Sequence, residues 1–390
     1  MTAVLTADLP TSRTGRILGV DAARALALVG MFATHILPLR AGGAETPTGL
    51  IADGRASALF AVLAGLGVAF SSGGTRRPAC GRAHLAAAAA LLTRGALVGL
   101  LGLWLAGFDP PAAVILAYYG LLFVVATPLL RLPASALAVG AVLACVLAPM
   151  ASLVLRFGLP ARPGKQPGLG ALADPGALLR TLALTGYYPV LPWTTYLLAG
   201  MAVGRLDLGR WRVAVGLLLG GVALAGLSAV TSLLLLGPGG GAATIGRAAV
   251  QQRRYGTTPT DTWWWLAVDT PHSGMPLDLA HTTGTALAVL GAMLLLARWA
   301  RPVVLVPAAL GAAPLTRYTL HVIALAAYPG SGPGDAALWL GHVLAATAIG
   351  VTLWLAGRRG PLESVVSGAA RWVRRLLDPA TPARAPTRYT

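Results

Sequence analysis

Charged side chains are scarce in this sequence. Asp, Glu, Lys and Arg make up 11% of its 390 residues, where a soluble domain carries roughly 25%. That shortage excludes a chain whose surface faces mainly water. Cysteine is scarcer still: Cys80 and Cys145 are the only two, which excludes a disulfide framework. One falls in a basic loop and the other in an apolar segment, so they are not expected to pair. There is no Walker A loop, no GxGxxG after a strand, no HExxH and no CxxC. The six histidines include no helical i, i+4 pair, and the Gly-rich stretch 237–243 has no phosphate-cradle context and reads as a linker. Nucleotide hydrolysis and metal catalysis are therefore not expected. Residues 1–16 are polar and the apolar run after them is too long for an h-region, so no cleavable signal peptide is expected either.

Apolar length is what the chain has. Hydrophobic residues make up 56% and mean hydropathy is +0.71. A hydrocarbon core of about 30 Å needs roughly 20 apolar residues as helix. Suitable segments are 17–39, 50–72, 84–106, 110–130, 133–157, 187–204, 211–236, 278–298, 302–327 and 335–356. The expectation is an all-α, polytopic integral membrane bundle of about ten transmembrane helices, eleven if the semi-apolar stretch 176–186 is a span rather than a half-helix. Two long Gly- and Pro-rich connections, 158–186 and 237–277, interrupt the series. The second holds Trp263, Trp264 and Trp265, a run suited to the headgroup region.

The net charge of +17 does not indicate nucleic acid, because the basic residues sit in short loops rather than on a soluble face. Those loops give orientation instead. Arg13 and Arg16 precede the first span, Arg76, Arg77 and Arg82 follow the second, and Arg131 follows the fourth. Arg205, Arg210 and Arg212 follow the sixth, Arg298 and Arg301 the eighth, Arg358 and Arg359 the tenth. All fall on one side, with Arg40 the main exception, so both termini are expected in the cytoplasm. This divides the chain into a cytoplasmic tail (1–16), one membrane domain (17–357) and a cytoplasmic end (358–390). In that end, 360–376 reads as an amphipathic helix on the anionic inner leaflet, followed by a dozen residues expected to be unstructured.

An ionisable group in hydrocarbon costs at least about 2.5–3.5 kcal/mol, so each one needs a reason. In the first span Asp21 and Arg24 are three apart on one face, either as a structural ion pair or as one end of a polar path. Arg24 and His35 share a face at depths about 16 Å apart, which suits the two ends of one channel. Asp53 opens the second span at the level of His35, where a carboxylate on one imidazole nitrogen raises the basicity of the other. His272, Asp278 and His281 open the eighth span, Arg317 and His321 share a face of the ninth, and Arg94 lies within the third. Singly, each reads more readily as a packed or snorkelling residue than as a catalyst.

GVDAARALALVGMFATHILP (19–38) resembles the opening helix of the transmembrane acyltransferase superfamily, which includes heparan-α-glucosaminide N-acetyltransferase and the YeiB-like bacterial membrane proteins. YYPVLPWTTYLLAGMAVGR (187–205) resembles the broken Tyr-Pro helix of the glucosaminide acetyltransferase relatives. GPLESVVSGAARWV (360–373) resembles the closing element of YeiB-like proteins. The resemblance implies transfer of an acyl group, acetyl above all, from cytoplasmic acyl-CoA (acetyl-CoA) to an amine or hydroxyl beyond the membrane, on a glycan or a small molecule. It implies Arg24, Arg94 and Arg317 at the CoA, His35 with Asp53 as base, and Arg55, Tyr188, Trp193, His272, Asp278 and His321 toward the acceptor. No metal is implied. The partners are the lipid bilayer of the cell membrane, acyl-CoA and the acceptor, with a homodimer allowed and no nucleic acid. The loop 38–49 lacks the histidine that the lysosomal enzyme places there, so direct transfer is preferred to an acyl-histidine. A transporter without catalysis is the competing class.

Overall fold

The computed structural model describes residues 17–159, 164–328 and 335–378. The N-terminal tail 1–16, with Arg13 and Arg16, and the last dozen residues lie outside these. The described chain is almost entirely helical: α1 (Leu18–Ile36), α2 (Pro47–Ala52), α3 (Arg55–Ser71), α4 (Arg82–Ala106), α5 (Leu116–Ala126), α6 (Ala134–Leu155), α7 (Pro175–Arg180), α8 (Val190–Val203), α9 (Trp211–Leu236), α10 (Gly241–Ile245), α11 (Arg247–Val250), α12 (Pro276–Trp299), α13 (Arg301–Gly311), α14 (Pro314–Ala327), α15 (Ala336–Leu355) and α16 (Pro361–Leu377). The one hairpin pairs β1 (Arg40–Ala41) with β2 (Ala44–Glu45). Gly42 and Gly43 form its turn at φ +59° and +84°, a backbone that favours glycine.

Among the described residues, six helices are long and apolar enough to cross a membrane: α2 with α3, α4, α6, α9, α12 and α15. Helices α13 and α14 make a seventh if their 61° bend lies within one span. Pro314 starts α14; lacking an N–H, it cannot continue the preceding helix. Three expected spans fall outside this set for physical reasons. Helix α1 has 19 residues, but Asp21, Arg24 and His35 lower its hydropathy. Helices α5 and α8 have 11 and 14 residues, short of a hydrocarbon core. The stretch 176–186 forms only α7 and one π-helical turn, Thr181–Thr185, a half-helix rather than a span.

Local chemistry sets the start of the expected second span and a turn within it. Thr46 caps α2, its Oγ1 accepting from Gly49 N at 3.2 Å, with Pro47 in the first turn. Gly54 at φ +69° then turns the chain into α3. Helices α3 and α8 approach closely where Gly65 faces the Leu197 backbone and Gly200 faces Val62, the small-residue contact of membrane helix pairs.

A helix, α16, forms where the amphipathic helix was expected, and one side of it is docked on the bundle. Glu363 accepts from Thr316 N at 3.1 Å and from Thr316 Oγ1 at 2.5 Å, and Arg374 donates to Ser71 O at 3.2 Å. Val366 and Ala370 are buried, while Val365, Trp372 and Leu376 remain exposed on the other side. The Trp run divides similarly. Trp263 is exposed, but Trp265 is buried, its Nε1 donating to Asp261 at 2.7 Å and its ring under the Arg254 guanidinium.

Candidate functional site

Two cavities lie toward opposite ends of α1. The first, of about 740 Å³, takes Leu18, Asp21 and Arg24 from the start of α1, Phe60 and Leu63 from α3 and Arg94 from α4. Arg301, Arg358 and Arg359 reach its wall, and Glu363 and Val366 of α16 close it. The volume is that of an ordinary ligand pocket. Arg24 donates to Asp21 at 2.5 Å, so the ion-pair reading of these two holds. Arg94 differs: twelve residues into α4, at a depth of about 18 Å by helical rise, it has no hydrogen-bond or ion-pair partner among the described residues. A guanidinium there is costly unless something anionic or wet meets it.

Arg317 also reaches this cavity wall. It is buried, however, and its Nε donates to Ala346 O and one terminal nitrogen to Ala309 O, both at 3.0 Å. It ties the end of α13 to α15, which makes it a bracket for the bend at Pro314.

The second cavity, of about 470 Å³, is lined by Thr34 and His35 of α1, Asp53, Ala56 and Ser57, and by loop residues Asp109, Lys165, Gln166, Tyr187, Tyr188, Tyr255 and His272. Loops build most of its roof. Gln166 pins one of them, donating to Ala112 O at 2.9 Å and accepting from Val114 N at 2.6 Å. Tyr188 donates to Ala113 O at 3.3 Å. Tyr255 and His272 both have positive φ, +43° and +61°, and their rings stack at 5.5 Å.

Asp53 is buried and accepts from Arg253 Nε, with His272 Nε2 at 3.6 Å from its other oxygen. Burial holds the His272 imidazole below its ordinary value of 6.5; Arg253 adds to that shift and Asp53 opposes it. The expected His35–Asp53 pair is not formed. The loop arginine takes the carboxylate, and His35 turns the other way, its Nδ1 hydrogen-bonded to His321 Nε2 at 3.0 Å. That leaves Nε2 of His35 without a partner among the described residues, and His35 itself lines the cavity.

The cavities are nearly back to back. Ser57 lines one and Phe60 the other, three residues or about 4.5 Å apart along α3. An aromatic layer lies between: Phe60 stacks on Tyr119 at 5.8 Å and on Tyr318 at 6.4 Å. Tyr318 is fixed by its hydroxyl, which accepts from Ile115 N at 3.2 Å and donates to Ala113 O at 3.4 Å.

Of the candidates named from sequence, Arg24 and Arg94 share the first cavity with Arg317, and His35, Asp53, Tyr188 and His272 share the second. The remaining four stand elsewhere. Arg55 reaches His281 Nε2 at 3.4 Å, and His281 bonds Asp269 at 2.7 Å, a separate cluster. Asp278 accepts from Ser273 Oγ and Gly274 N, fixing the loop before α12. Trp193 is buried between Tyr188 and Tyr196. His321 is buried behind His35 with both ring nitrogens bonded, the second to His342 Nδ1 at 3.0 Å. Sequence reading passed over Arg253, Tyr255, Lys165, Gln166 and His342. The loop residues had no periodicity to mark them. His342 had the same signal as His35, an ionisable group alone in an apolar run.

Residues 16–230 match a family model described as the catalytic region of heparan-alpha-glucosaminide N-acetyltransferase, more than half of the chain. No curated protein and no solved structure matches it. The matched segment holds Arg24, His35, Asp53, Arg94 and Tyr188; His272, His321, His342 and α16 lie beyond it.

Proposed function

The chain belongs to the family of heparan-alpha-glucosaminide N-acetyltransferase catalytic domains, and from that premise we propose that it transfers an acetyl group from cytoplasmic acetyl-CoA to an extracytoplasmic amine or hydroxyl, such as one on a sugar. A match to a catalytic domain gives the carrier reading no support. The proposed setting is the plasma membrane, crossed about ten times with both termini inside, α1, α5 and α8 counting as spans that the bundle shields from lipid.

One observation carries the reading: two cavities of opposite character meet at an aromatic layer. The arginine-lined cavity takes the CoA. Its phosphates meet Arg24, Arg301, Arg358 and Arg359 toward the mouth, and Arg94, deeper in, donates to a carbonyl oxygen of the uncharged pantetheine arm or of the thioester, a hydrogen bond assisted by the guanidinium charge. The thioester then reaches the Phe60–Tyr119 layer. The acceptor enters the other cavity, held by the tyrosine hydroxyls and the Asp53 cluster. His35 Nε2 removes its proton as the acceptor atom attacks the carbonyl carbon; the new bond to carbon forms and the carbon–sulfur bond breaks. The leaving thiolate is protonated and departs as CoA. Direct transfer is preferred, because the loop 38–49 has no histidine to hold an acyl group.

Purified protein in detergent or nanodiscs is expected to bind acetyl-CoA by calorimetric titration and to hydrolyse it slowly, both abolished or weakened in Arg94→Ala. A folded sample with no acetyl-CoA binding at millimolar ligand would sink the reading.

A further inference from the structure

Behind His35 stands a line of three imidazoles that the reaction as described above leaves unused. His35 Nδ1 bonds His321 Nε2, and His321 Nδ1 bonds His342 Nδ1, each at 3.0 Å. The residues come from α1, α14 and α15, more than 300 positions apart at the extremes. Phe32 stacks on the His321 ring at 4.0 Å and fixes its plane. His321 is buried, whereas His342 is only part-buried, at the edge of the bundle. Because His321 spends its two nitrogens on different neighbours, the rings form a line and do not converge on one point as metal ligands would.

We infer that His321 and His342 are proton-relay residues for His35, carrying positive charge from the cavity to the bundle edge during acetyl transfer. The inference rests on the reading of His35 as the base.

A neutral imidazole has one N–H and one lone pair. His321 therefore holds both bonds only by donating one and accepting the other, which links all three tautomers. In the resting arrangement His35 Nδ1–H donates to His321 Nε2, and His321 Nδ1–H donates to His342 Nδ1. His35 Nε2 is then a lone pair at the cavity, and His342 keeps its hydrogen on Nε2. When the acceptor atom bonds to the acetyl carbon, its proton goes to His35 Nε2. One proton moves along each hydrogen bond, and the excess charge ends on His342, now protonated on both nitrogens. The carbon–sulfur bond breaks, His35 Nε2–H protonates the thiolate, and the two protons move back. Every ring returns to its first tautomer, and no outside proton is needed. The gain is electrostatic: the excess charge leaves the buried His321 and the reacting atoms for the less enclosed His342.

His342→Ala is the cleanest test, since the ring lies outside both cavities. The expected result is kcat lowered roughly 10-fold or more, less than the 10²–10⁴-fold of a lost general base because His35 remains, with both KM values unchanged and activity restored by imidazole in the medium. His321→Gln is expected to fold and bind acetyl-CoA, because the amide also donates and accepts, yet to lose at least as much kcat, because it cannot pass a proton on. If both variants keep kcat within about two-fold of the parent, or if imidazole fails to restore a slowed His342→Ala, the relay is wrong. His35→Ala separates the two failures: if it is inactive while the relay variants are active, only the relay falls; if it is active, the base assignment falls with it.

Discussion

The cavities at the two ends of α1 handle charge in opposite ways. The arginine-lined cavity is built by helices and holds an excess of guanidinium, with Asp21 and Glu363 as its acidic residues. The histidine-lined cavity is roofed by loops, and several of its ionisable groups face a partner: Asp53 with Arg253 and His272, His35 with His321. The first suits a polyanion that brings its own negative charge. The second suits a neutral reactant, because Asp53 is paired with Arg253, Asp109 and Lys165 cancel in formal charge, and one lone pair remains at His35. On the proposed reading, binding and proton transfer are separated along one helix, and variants at the two ends should fail in different ways.

The largest effect is expected at His35. His35→Ala should lower the acetyl-transfer rate by about 10²–10⁴-fold, the range of general base catalysis, while acetyl-CoA affinity by titration stays as in the parent. If affinity for acetyl-CoA collapses as well, the two ends are not separable and the comparison breaks.

Arg94→Met is the reciprocal experiment. Losing a charge-assisted contact to the donor should cost about 1.5–3 kcal/mol, or roughly 10- to 150-fold in acetyl-CoA affinity, with the acceptor KM unmoved. The thermal midpoint should hold or rise, since an intramembrane cation has been removed. A lowered midpoint with unchanged affinity would make Arg94 a structural residue.

Helices were easier to read than their contacts. Apolar runs announced α4, α6, α9, α12 and α15 to within a few residues, because hydrocarbon thickness sets their length. Polar residues inside those runs pointed to Arg24, His35 and Arg94. Which group meets which was not legible. Asp53 and Arg253 are 200 positions apart, and His35 and His321 are 286 apart; no spacing rule reaches across a bundle. Asp53 pairs with a loop whose sequence has no period, and so the nearer His35 looked like its partner. The face of α16 was legible as amphipathic, but which side meets the bundle is decided by contacts far apart in sequence, Glu363 with Thr316 and Arg374 with Ser71.

The Asp53–Arg253 pair tests whether the histidine-lined cavity depends on charge matching. Asp53→Asn leaves a loop arginine without its carboxylate, and should lower stability and raise the acceptor KM. Asp53→Asn with Arg253→Met should recover part of the loss, with a coupling of about 0.5–3 kcal/mol from a double-mutant cycle in melting or denaturant experiments. Strict additivity would show that the pair does not hold the roof.

The smallest effect concerns His272, and its sign follows from the neighbours. Burial lowers its value below the ordinary 6.5, so folding favours the neutral ring. The stability this supplies is fully present above about pH 6.5 and is lost as pH falls through the lowered folded value. Arg253 disfavours the protonated ring and Asp53 favours it, so removing Asp53 should steepen the loss. His272→Gln cannot take up a proton, and its thermal midpoint should vary less with pH below 6.5 than that of the parent. The arginine-lined cavity offers a control: Arg94→Met should leave the slope of midpoint against pH unchanged, because that cavity contains no histidine. If His272→Gln and the parent share one slope, acid sensitivity arises elsewhere, and the loop roof is held by packing of Tyr255 and Tyr188 rather than by a neutral imidazole.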